Sequence, residues 1–180
     1  MKNALLCAGT AALSLSLASG TVLAQQPAPM DKADKARMAN EANGPDNAFI
    51  LKAANSNMFE IESSKIAVSR SKNADVKKFA QQMITDHTKA GSELKTIAGA
   101  KVPTDPDPAT VARIEKIKAA KDDVFDAAYI DEQNAAHDEA VGLFTKFTDS
   151  GADPKLKGFA DKTLPTLKMH QDHAKTLKAK

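Results

Sequence analysis

An all-α four-helix bundle, its second and third helices joined by one long crossover, is the fold this sequence predicts, on three observations. Four segments carry apolar or small residues at spacings of three and four, the repeat of a helix packed in a bundle. N-cap residues and Pro or Gly breaks separate those segments. The composition suits helices: hydrophobic residues make up 42%, aromatics only 4%, and there is no Trp, so the core is aliphatic and alanine-rich. The 180 residues are one domain's worth. A formal net charge of +2 with Lys and acidic residues interspersed describes solvated helix faces, so no nucleic-acid partner is expected.

The chain begins with a basic Lys2, then an apolar run from Ala4 to Leu17 broken only by Gly9, Thr10, Ser14 and Ser16. Val22-Leu23-Ala24 follows, with small residues placed for a cut after Ala24. Residues 1–24 therefore read as a cleaved secretory signal peptide, too short and wrongly flanked for a stable anchor. Cys7, the one cysteine, lies inside that segment, so the mature chain has no thiol and no disulfide, thiolate metal site or Cys nucleophile. The expected location is the bacterial periplasm, with outer-membrane association open. No later stretch is apolar for long enough to span a membrane.

Residues 25–45, rich in Gln, Pro, Ala and charge, read as a flexible linker with a short helix around Lys32 to Asn40. The bundle domain is expected over residues 46–178. Asp46, after Gly44-Pro45, is the expected cap of a first helix from about Asn47 to Arg70. One of its seams carries Phe49, Ala53, Ser56, Glu60, Ser63 and Ala67; the next carries Ile50, Ala54, Asn57, Ile61, Ser64 and Val68. Asn73 opens a second helix to about Ala98, with the seam Val76, Phe79, Met83, His87, Ala90, Leu94, Ile97. Pro103, Pro106 and Pro108 then prevent helix, and Thr110 to Lys121 is helical again. The third long helix spans about Asp122 to Thr148, with Phe125, Tyr129, Ile130, Gln133, Ala136, His137, Ala140, Phe144 and Phe147 inward. Asp153-Pro154, a cap followed by Pro in the first turn, opens the fourth. Its seam is Leu156, Phe159, Thr163, Leu167, His170, Ala174, Leu177, and Pro165 is expected to kink it. Two tight pairs joined by a long connection with a short extra helix make the ferritin-like arrangement; a plain up-down-up-down bundle is the alternative.

Several stretches also resemble one family: Phe49 to Ala67 with Glu60-Ile61-Glu62, Val76 to His87 with Met83-Ile84-Thr85-Asp86-His87, Phe125-Asp126…Tyr129…His137, and Phe159-Ala160…Leu164-Pro165…His170. The chain is similar there to the exported bacterial domain-of-unknown-function family 4142, from about Asp46 to Leu177. The resemblance implies a ferritin-like bundle in an envelope setting and implies no activity. Members are sometimes labelled outer-membrane proteins, but no alternating strand segments point to a barrel here.

Polar residues on the seams are the candidates for function. A His or Glu at a core position costs several kcal/mol if left unpaired, roughly 2–7 for a buried polar group, so each needs a partner. His87, His137 and His170 sit on inward stripes of three helices, and Glu60 on the fourth. Counting ~1.5 Å of rise per residue from the two tight turns puts Glu60, His87 and His137 within about one helical turn of each other, and His170 roughly 6–8 Å off. Two readings follow. In one, Glu60 bridges His87 and His137 as a structural hydrogen-bond network, with His170 bonded to Gln133 or Tyr129. In the other, Glu60, His87 and His137, with His170 the weakest fourth, bind Fe, Cu or Zn. Di-iron bundles need Glu-x-x-His on two helices, whereas Ile84, Asn134 and Leu167 stand three before the histidines, so carboxylate-bridged di-iron is not expected.

Asp86, next to His87, is expected to face water, the alternative being that it orients a ring. His173 is expected to be solvated near the Lys-rich end, the alternative being a surface chelate with His170 three residues before it. Met58, Met83 and Met169 are expected to fill core. No Gly-rich phosphate loop and no Ser or Thr with a matched base is present. The favoured function is a non-enzymatic envelope protein, protective or partner-binding, with an envelope protein or a second copy of the chain as partner. The alternative is a metal-binding bundle that stores, buffers or uses a transition metal.

Overall fold

The structure, a computed structural model, describes residues 44–179. The leader, its cut after Ala24, all but the end of the linker and the short helix around Lys32 lie outside them. Every regular element among the described residues is helical: α1 (Pro45–Arg70), α2 (Ala74–Ala98), a short 3₁₀ turn (Gly99–Lys101), α3 (Pro108–Ala119), α4 (Phe125–Ser150) and α5 (Pro154–Thr176). None of these helices is long and apolar enough to cross a membrane.

Local chemistry sets the ends. Asn73 caps α2 by accepting from Asp75 N, and Asp153 caps α5 by accepting from Lys155 N and Leu156 N. Asp107 caps α3 through Thr110 N, so the helix begins two residues earlier than expected, because Pro108 fits the first helical position. Gly99 ends α2 at φ 58°, a conformation open to glycine. Asp46 does not cap α1, which already starts at Pro45 behind Gly44. Its carboxylate instead accepts from Ala152 N at 2.9 Å and Asp153 N at 3.0 Å, tying the start of α1 to the α4–α5 turn. In that turn a Cβ on Gly151 would stand 2.6 Å from the Phe147 ring, so only glycine fits. Helix α5 runs unbroken through Pro165.

α1 pairs with α2 and α4 with α5; α1 also packs on α4, and α2 on α5. Two end contacts give directions. Arg70, at the end of α1, sits over the Phe125 ring at the start of α4, and Phe49, at the start of α1, stacks on Phe147 at the end of α4. α4 is thus antiparallel to α1 and parallel to α2, so the α2–α4 connection crosses the length of the bundle, the connectivity of ferritin-like bundles. α3 lies along α1 within that connection. Arg70 holds it by donating to the carbonyls of Lys118 (2.8 Å) and Ala120 (2.6 Å), which the end of a helix leaves unpaired.

The core has two apolar clusters. At the Arg70 end Val76, Phe79, Met83, Phe125 and Tyr129 pack with Ala174 and Leu177. At the Phe49 end Phe49, Leu94, Phe144, Phe147, Phe159 and Leu167 pack together. Where the two meet, in sequence order along each long helix, stand Asn57 on α1, His87 on α2, His137 on α4 and His170 on α5, while the buried Glu60, Ser63 and Ser64 on α1 and Gln133 on α4 lie among the residues of the Arg70-end cluster. All nine inward residues expected on α4 are buried. On α1, Phe59 is buried although neither expected seam included it, and Ile61 is only partly so.

Candidate metal centre

Three helices deliver three imidazoles to one point. The ring centroids of His87 and His137 are 5.8 Å apart, those of His87 and His170 5.6 Å, and those of His137 and His170 5.5 Å. One ring nitrogen from each lies within 4.8 Å of the other two. All three residues are at most 3% exposed.

Each ring is held from outside by its other nitrogen. His87 Nδ1 donates to Asn57 Oδ1 at 2.8 Å. His137 Nδ1 donates to the Gln133 carbonyl at 2.9 Å, one turn back on its own helix. His170 Nε2 donates to Asp86 Oδ2 at 2.9 Å. A neutral imidazole has one N–H and one lone pair, so these bonds leave lone pairs on His87 Nε2, His137 Nε2 and His170 Nδ1. Those three atoms are the buried ring nitrogens with no hydrogen-bond partner. An unpaired buried acceptor costs about 1–3 kcal/mol.

Burial, first of all, pushes all three histidines below their ordinary value, with neighbouring imidazoles adding to it. His137 falls to about 4, while the Asp86 carboxylate partly offsets the fall for His170. At neutral pH the rings are neutral, the state in which imidazole binds metal.

Glu60 stands outside this cluster. Its Oε1 is 3.7 Å from His137 Nδ1, the side facing away from the lone pairs. Burial raises its carboxyl to about 8, with Gln133 and Arg113 pulling the other way, so this contact joins two neutral groups and is not an ion pair. The bridge expected from Glu60 to both His87 and His137 is not formed, because Asn57 and the Gln133 carbonyl take those two N–H groups. The rest of the band is paired in part: Tyr129 OH pairs with Ser64 Oγ at 2.8 Å and Gln133 Nε2 donates to Ser63 Oγ at 3.2 Å, while Glu60 Oε2 and Gln133 Oε1 are buried without a partner.

His170, placed farthest off by counting rise, joins the other two. Long helical side chains lean toward their own N-terminus. α4 and α5 are antiparallel, so His137 leans toward the Arg70 end and His170 leans back from it, closing the backbone offset. The partner of His170 is Asp86, not Gln133 or Tyr129. Asp86 was expected to face water, with orienting a ring as the alternative; it holds a ring, that of His170 on α5, through the packing of α2 on α5. His173 turns away and meets Phe79 edge-on at 5.1 Å.

A larger cavity of about 520 Å³ opens elsewhere, among Lys52, Phe59, Arg113, Ala140 and Lys146 on α1, α3 and α4. No histidine lines it.

Comparison with known proteins adds one match. The profile of a family described as "Domain of unknown function (DUF4142)" matches residues 30–177. No curated protein and no solved structure matches the chain.

Proposed function

The chain belongs to the DUF4142 family, and from that premise and the histidine geometry we propose that it is a transition-metal-binding bundle, its ion held by His87, His137 and His170. The single observation behind this reading is the division of labour on each ring. One nitrogen of each of the three histidines donates outward to Asn57, Gln133 or Asp86, the other is buried and unpaired, and one ring nitrogen from each lies within 4.8 Å of the other two. Outer hydrogen bonds that fix tautomer and orientation are the usual support of metal-ligating histidines. A purely structural network accounts for the three outer bonds and leaves the three inner lone pairs without a purpose.

Three neutral imidazoles suit Zn(II), Cu(II) or Fe(II), with a fourth position left for an outside ligand. Bonds of about 2.0–2.1 Å in tetrahedral geometry put ligand nitrogens ~3.3 Å apart. The separations here, up to 4.8 Å, call for ring movements of an ångström or so on binding. Glu60 is assigned a supporting place beside His137, not a ligand position. The basic, apolar and small-residue pattern of residues 1–24 supports export to the periplasm, where storing, buffering or redox use of the metal are the roles such a site could serve.

Metal content tests this. Protein purified from the periplasm without chelators should carry close to one equivalent of a transition metal, lost in His87→Ala. Metal-free protein whose melting temperature does not move with added Zn(II), Cu(II) or Fe(II) would refute it.

A further inference from the structure

Resting on the three-histidine reading, we infer that the fourth coordination position is reached through the cleft between α2 and α5 and takes a small anion. The cleft, about 120 Å³, is lined on α2 by Asp86, His87, Lys89 and Glu93, and on α5 by Lys162, Thr163, Thr166 and His170. Two of the three ligand histidines, His87 and His170, are thus among its lining residues, and His137 is not.

Size limits the ligand. Sites for drug-sized molecules occupy roughly 300–1,000 Å³. A cleft of this volume accommodates a few waters or a small ion. Charge chooses among small ligands. Three neutral imidazoles leave the ion's double charge uncompensated, and a bound cation dominates the electrostatics of its site. The two carboxylates in the lining are already engaged: Asp86 accepts from His170, and both Glu93 oxygens accept from Lys162 Nζ at 2.8 Å. The Lys162–Glu93 pair spans the mouth from α5 to α2 and stays accessible to water, so it can part at little cost. Lys89 adds a further positive charge at the rim. The ligand is thus a small anion such as hydroxide, superoxide or a halide-sized pseudohalide.

Azide is the probe. Co(II)-loaded protein titrated with azide should shift its visible spectrum and give a saturable affinity. Thr166→Phe fills the cleft from one turn before His170, and should still bind one equivalent of Co(II) while weakening azide by about tenfold or more. Thr163→Leu reports in the same way should Thr166→Phe fail to fold. Normal Co(II) binding with no azide shift in the parent, or an azide affinity unchanged in the filled variants, overturns the inference and leaves the three-histidine site standing. Absence of Co(II) binding to the parent would overturn both.

Discussion

Asn57 Oδ1 accepts from His87 Nδ1 at 2.8 Å, across the α1–α2 pair. That bond fixes the tautomer of His87 and turns its Nε2 toward His137 and His170. Asn57→Ala should weaken metal binding by about 10–100-fold, the usual effect of removing an outer-shell partner. Isothermal titration of the metal-free variant with Zn(II) checks it, and a parent-like affinity would show that Asn57 is only packing.

Asp86 serves His170 in the same way but from a partly exposed position, its side chain 33% accessible. Asp86→Ala should lower Zn(II) affinity, and Asp86→Asn, which keeps an acceptor oxygen, should restore most of it. Equal losses in the two variants would point to charge instead of orientation.

The buried titratable groups set opposing pH dependences in the metal-free protein. His137 titrates at about 4 when folded, and His87 and His170 are also lowered, against 6.5 in the unfolded chain. Between those values the unfolded state binds more protons, so stability rises with pH up to about 6.5. Glu60 is raised to about 8 from 4.5, so the folded state binds more protons across that span and its contribution falls as pH rises. Three imidazoles outweigh one carboxyl below 6.5, and above it Glu60 alone remains. The melting temperature should climb from pH 4.5 to about 6.5 and then decline toward 8. Glu60→Gln should keep the climb and abolish the decline; a decline that persists in this variant would place its source elsewhere.

Arg70 secures the crossover by donating to the carbonyls of Lys118 and Ala120 and pairing with Asp122 at 2.6 Å. Arg70→Ala should destabilise the fold by about 1.5–3 kcal/mol, as for hydrogen bonds to a charged donor. Urea unfolding measures it, and a loss below about 0.5 kcal/mol, the scale of an ordinary surface change, would mean that α3 is held by its apolar contacts alone.

The long helices and their inward faces were legible in the sequence because seam spacing and cap chemistry are local. Asn73, Asp153 and the stripe from Phe125 to Phe147 all act where local rules put them. Asp46 misled because Pro45 could begin the helix first, freeing its carboxylate for a turn about a hundred residues away in sequence. The histidines could be named from the pattern, but their partners could not. Asn57 and Asp86 reach across to other helices, and Asp86 meets His170 only because the crossover sets α2 beside α5. Glu60 looked like the bridge because backbone height puts it level with His137, and height alone does not say which ring nitrogen it faces.

The visible spectrum of the metal-free protein during titration with Co(II) tests the central claim most directly. The account predicts tetrahedral-type bands that saturate at one equivalent, disappear in His137→Ala and His170→Ala, and survive Glu60→Gln. Bands that are absent, or that persist unchanged when either histidine is removed, would contradict a three-histidine metal centre.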